Sequence, residues 1–375
     1  MIRTTQTANE ASHPKDLGNL FSLLKTDFMR YFGYCFCLLL CFALNVFPAG
    51  NDPLAQEIGR WKNFLNTNTS TSENWVSIRD STRPLVERAE NALKADRRNL
   101  AIHILAALRT NLAAQKYVQE HHVTPTTELS ALEKEWTRLS ADLQEPRQPF
   151  DFKRLPASIR AVAEAAFSEI KVYYDASLEY GKNTMPEYGF FYIGLSQGQL
   201  EFARLLQQFE TQKSLQTPKL SGLAGQIDAL EDQLLSEYKP PASIEQHPNF
   251  IRASGLIKQA HELQAAGLEY GALYRTLYAR QILSKITSPG KSITNQEVLN
   301  RTNAVAGRLK EPGVDHSLGW MFVELANEEP YNGETARTVF EEILPIYFAA
   351  FEPSKEERVK GAPAATVTLV RWPYT

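Results

Sequence analysis

Apolar residues recurring at steps of three and four dominate this chain from Asp52 onward. Ile159, Val162, Ala163, Ala166, Phe167, Ile170, Tyr173 and Tyr174 form the clearest run, and Val339, Phe340, Ile343, Leu344, Tyr347, Phe348 and Phe351 form another. Shorter stripes follow the same spacing at Leu100, Ile104, Leu108 and Leu112, at Leu129, Leu132, Trp136, Leu139 and Leu143, and at Leu220, Leu223, Ile227, Leu230 and Leu234. At 3.6 residues per turn such a run puts its apolar groups on one side of a helix, and that side must be buried against a neighbour. The spacing therefore predicts an all-α protein of about ten helices, arranged as a multi-helix bundle or an α-hairpin array.

Helix-start signals agree. Ser70 to Glu73, Ser130 to Glu133 and Thr294 to Glu297 fit the capping box, although the second sits inside its own stripe. Proline is expected to open segments at Pro84, Pro125, Pro156, Pro186, Pro218 and Pro248, where its missing N–H costs little. Pro345 falls inside the last stripe and is expected to kink or split that helix. Lys239-Pro240-Pro241 is the strongest break and would divide two helical lobes, 51–238 and 242–352; Thr287-Ser288-Pro289-Gly290 is the next. No repeat recurs at a fixed period.

The two ends differ from this body. Arg30 precedes the apolar block Tyr31 to Leu44, and Asn45 to Gly50 follow it, in the order of a secretory signal. The block is shorter than the roughly 20 residues of a spanning helix. The segment 1–49 thus reads as a polar extension plus a signal peptide, with Met1 or Met29 as its start, or as a retained membrane anchor over 31–47. At the other end, 361–375 reads as a linker and a short extended strand, because Thr366 to Tyr374 alternates and is β-branched. A lone strand needs a pairing partner, so 366–374 is expected to add to another envelope or secreted protein, or to dock on the helical body.

All three cysteines, Cys35, Cys37 and Cys41, lie inside the apolar block. The remainder can form neither a disulfide nor a thiolate metal site. With 40 Lys+Arg against 43 Asp+Glu, the chain lacks the excess positive charge of a whole-surface nucleic-acid binder. No phosphate-binding glycine loop appears, and no histidine spacing matches a zinc helix or a di-iron bundle. Gly194-Leu195-Ser196-Gln197-Gly198 has the form of a nucleophile elbow but lies within a helical pattern, so close helix packing at the two glycines is the expectation. His121-His122 reads as a solvated helix end. No catalytic residue, metal ligand or cofactor is assigned.

The candidate ligand-binding residues are tyrosines beside carboxylates: Tyr180, Glu187, Tyr188 and Tyr192 in one region, and Glu269, Tyr270, Tyr274 and Tyr278 in another. Such groups hold sugars or peptides by stacking and hydrogen bonding. These features point to an exported, extracytoplasmic helical scaffold or binding protein. The alternative is a hydrolase or lyase on glycans or peptides, which would need Glu179, Glu187 or Glu201 to converge within about 5–10 Å.

Overall fold

The computed structural model describes residues 52–144, 150–209, 216–241 and 243–352. The signal or anchor segment and the C-terminal strand expected at 361–375 lie outside the described residues. Within them the protein is all-helical, with thirteen α-helices. These are α1 (Pro53–Thr67), α2 (Glu73–Lys94), α3 (Arg98–Glu120), α4 (Leu129–Leu143), α5 (Ala157–Asn183), α6 (Pro186–Leu206), α7 (Leu223–Glu237), α8 (His247–Ala265), α9 (Glu269–Thr287), α10 (Asn295–Leu309), α11 (Ser317–Ala326), α12 (Gly333–Thr338) and α13 (Leu344–Ala349). An isolated bridge between Gln216 and Val314 is the one strand-like pairing among the described residues.

The stripes become the interfaces. Ile159, Val162, Ile170 and Tyr174 are all buried on α5, which packs along α6 as an antiparallel pair. α3 lies on α6, α2 on α3, and α9 on both α8 and α5. One continuous apolar cluster runs from Leu54 to Ala350. It passes both expected breaks, which are the α7–α8 and α9–α10 connectors.

Close contact between α3 and α6 explains Gly194 and Gly198. A Cβ on Gly194 would meet Ala114 Cα at 2.8 Å and Tyr117 Cβ at 2.7 Å, and one on Gly198 would press on Ala113. Ser196 between them is fully buried and donates to the Ile170 carbonyl at 2.6 Å, so its hydroxyl is a packing tie rather than a nucleophile. Buried charge fixes α1 to the same pair: Arg109 donates to Glu57 at 2.6 Å and to the Gly198 carbonyl at 2.8 Å.

Some start signals need correction. α2 begins at Glu73 with Ser72 as its cap, accepting from the Trp75 N–H at 3.3 Å, so Ser70 is not the cap residue. Pro84 does not open a segment; it sits inside α2. One lost backbone hydrogen bond there is outweighed by the burial of Trp75, Val86 and Ala89 on either side. Pro125 and Pro218 lie in turns and loops, whereas Pro186 and Pro248 do sit in first helical turns and Pro156 caps α5. The Thr294–Glu297 capping box forms in full. The last stripe is interrupted as expected: a π-helical turn, Val339–Ile343, precedes α13, whose first turn holds Pro345.

Candidate functional site: two tyrosine-walled concavities

Five of the eight candidate residues line two concavities, Tyr274 and Tyr278 a cleft and Glu187, Tyr188 and Tyr192 a groove. The cleft forms where α3, α5 and α9 meet. Alanines at 106 and 107 on α3 and at 165 and 166 on α5 keep the helix backbones near one another while leaving a cavity of about 220 Å³. Its wall carries Glu169 and Tyr173 from α5 and Tyr274, Arg275 and Tyr278 from α9. Glu169 is ion-paired to Arg275 and accepts from Gln199 Nε2 at 2.8 Å. The Arg275 Nε is buried with no hydrogen-bond partner. Arg252 of α8, exposed, stands at the rim.

A second cavity, of about 390 Å³, adjoins the first and shares Ala107 and Tyr278 with it. Here Arg88 of α2 grips Glu328 in a forked pair, at 2.7 and 2.5 Å. His103 of α3 lines the wall and shares a hydrogen bond of 3.0 Å with the Tyr274 hydroxyl. Its ring also lies against Tyr278 and Phe322, at 5.7 and 6.2 Å between centroids. Burial, helped by the Arg88 charge, pushes the His103 pKa down to about 4. The imidazole is therefore neutral at pH 7, with one donor and one acceptor nitrogen. Burial also raises the Tyr173 and Tyr274 hydroxyls well above the usual tyrosine range, which keeps them protonated. The cleft thus presents fixed neutral and paired ionic groups over an alanine floor. It can hold a polar molecule without needing any of its groups to change charge.

The groove lies between α2, α3 and α6 and measures about 360 Å³. Glu187, Tyr188 and Tyr192 line one side, with Asn111 and Gln115 of α3 opposite and Ile78, Val118 and Phe191 as apolar floor. Tyr180 stacks flat on Tyr192, with centroids 4.4 Å apart and planes 11° apart. Tyr173, part of the cleft wall, meets the edge of Tyr192 at 6.1 Å. The two concavities are therefore joined through one aromatic contact.

Tyr270 and Glu269 belong to neither. Tyr270 is buried, donates to the Pro218 carbonyl at 2.8 Å and lies under the Arg160 guanidinium. Glu269 is exposed in the first turn of α9, where a carboxylate suits the helix dipole. Two of the three glutamates of the hydrolase reading stand far apart. Glu187 and Glu201 lie almost four turns apart on α6, roughly 21 Å by the helical rise. Glu201 lies 3.7 Å from both Arg60 and Arg109, and Glu179 is exposed on α5. His121 is more engaged than a solvated end: its ring stacks on Tyr117 at 4.0 Å and its Nε2 is 3.5 Å from Glu135.

Sequence reasoning missed His103, Glu169, Arg88 and Glu328. A local signal existed for two of them. Glu169 keeps step with Ala166 and Tyr173, and His103 with Leu100 and Ala107, so each is a polar group placed in register with an apolar stripe. Among the described residues, no group of three or more His, Cys, Asp or Glu could hold a metal ion, and no helix is long and apolar enough to cross a membrane. Comparison with known protein families, curated proteins and solved structures finds no match for this chain.

Proposed function

We propose that this protein is an extracytoplasmic helical binding protein whose ligand occupies the two adjoining cavities around Tyr278. One observation carries the reading: the cavities share an alanine and a tyrosine and are ringed by polar pairs, Glu169 with Arg275, Arg88 with Glu328 and His103 with Tyr274. Preformed polar groups around an apolar floor suit recognition of a small molecule. The separation of Glu187 from Glu201 along α6 favours this reading over the hydrolase alternative. Export rests on the order of charged, apolar and small residues at 30–50.

Ala107 provides the test, because it is exposed and lines both cavities. Thermal-shift screening of the full chain against amino acids, dipeptides and mono- and disaccharides should identify at least one that raises the melting temperature. Ala107→Trp should fill the shared wall and abolish that shift while leaving the unliganded melt near wild type. A panel with no active member, or a shift that persists in Ala107→Trp, would refute the reading.

A further inference from the structure

We infer that the groove between α2, α3 and α6 is a separate binding site for an uncharged oligosaccharide chain. It does not depend on the cleft reading.

The lining of the groove sets what it can hold. Among the described residues there, none is Lys, Arg or His, and Glu187 is the one charged group. A phosphorylated or carboxylated ligand would meet no compensating cation and one repelling carboxylate. The polar groups that remain are the amides of Asn111 and Gln115 and the hydroxyls of Ser77, Tyr188 and Tyr192. Each of them both donates and accepts, which matches sugar hydroxyls, themselves both donors and acceptors. The Glu187 carboxylate only accepts and suits a pair of neighbouring hydroxyls.

Spacing adds a second line. Asn111 and Gln115 stand one turn apart on α3, and Tyr188 and Tyr192 one turn apart on α6. Both pairs step by about 6 Å along their helices, so amide and aromatic chemistry recurs along the groove. That recurrence fits a ligand with a repeating ring. Aromatic faces are also available. Tyr188 is 44% exposed and Tyr180 46%, although large apolar side chains in this protein are mostly buried. Tyr192 is held between Tyr180 and the edge of Tyr173, which fixes the platform before any ligand arrives. A tyrosine face takes the C–H side of a sugar ring as it takes another ring edge.

Isothermal titration of the full-length chain with cellotetraose, maltotetraose and chitotetraose is the test, with a proline-rich and a lysine-rich decapeptide as controls. At least one tetrasaccharide should bind saturably. Tyr188→Ala and Asn111→Ala should each weaken it about tenfold, a loss of the size expected for one stacking or hydrogen-bonding contact. Both residues are exposed, so their variants should melt as wild type does, and Ala107→Trp should bind the sugar unchanged. The inference is overturned if no tetrasaccharide binds at millimolar concentration, if binding is indifferent to both groove variants, or if a decapeptide binds there and the sugars do not.

Discussion

The cleft at Tyr278 and the groove at Tyr188 draw on the same residue type and on two shared helices, α3 and α6, yet they differ in how their polar groups are supported. In the cleft, the ionic groups of the wall are committed to partners on other elements: Glu169 of α5 to Arg275 of α9, and Arg88 of α2 to Glu328 beyond α11. The side chains that wall the cleft also tie the bundle together. In the groove, Tyr188, Ser77 and Asn111 are exposed, and of the polar groups there Gln115 is the one that is buried. The wall of a concavity can thus be structural or expendable according to whether its polar groups were desolvated on folding. Desolvated charges must be paired, whereas exposed hydroxyls and amides remain hydrated until a ligand arrives.

That difference sets an order of expected effects. The largest belongs to the cleft ion pair. Arg275→Ala strands the Glu169 carboxylate, 12% exposed, and should cost about 3 kcal/mol or more in denaturant unfolding. Replacing both partners, Glu169→Leu with Arg275→Met, should recover most of that loss. If the single variant proves harmless, the pair is not structural and the contrast with the groove collapses.

Next is pH. His103 has a folded pKa of about 4 against about 6.5 unfolded, so the unfolded chain binds the proton first. Stability should be intact above pH 6.5 and fall as pH drops from there toward 4, by on the order of 3 kcal/mol. The groups against the imidazole are Tyr274, Tyr278 and Phe322, the Arg88 charge opposes its protonation, and the one carboxylate lining the same cavity, Glu328, is already paired with Arg88. His103→Gln keeps a hydrogen-bonding group toward Tyr274 and should flatten the slope; an equally steep slope in that variant would assign the acid sensitivity elsewhere.

A smaller effect is expected where the helices shared by the two sites touch. Gly194→Ala adds a methyl against Ala114 and Tyr117 and should cost about 1–3 kcal/mol by overpacking. It should also widen the groove, which a change in sugar affinity without a change in the cleft's ligand response would reveal. The smallest is Tyr188→Ala, which should alter stability by no more than about 0.5 kcal/mol. A large loss of melting temperature there would show that the groove wall is structural too and erase the distinction.

Much of this architecture could be read residue by residue. The stripes on α3, α4, α5 and α7 became buried faces because a 3.6 period leaves no other way to hide them. Thr294 and Glu297 cap α10 as their spacing required, and Gly194 and Gly198 admit α3 because nothing larger fits between the two backbones. Pro84 was misread because a local rule cannot weigh one lost hydrogen bond against the burial of Trp75 and Val86. Among the tyrosines, residue type and spacing could not tell Tyr270, sealed beneath Arg160, from Tyr278, open to two cavities.

What the sequence by itself determined is the helical class, the burying faces, and the absence of cysteine chemistry from everything after Gly50. Those follow from periodicity and composition, which are local properties of the chain. Only the tertiary structure decided which polar groups meet. Arg88 finds Glu328 and His103 finds Tyr274 across separations of 240 and 171 residues, because the order in which helices stack, not the spacing along any one of them, brings those side chains together.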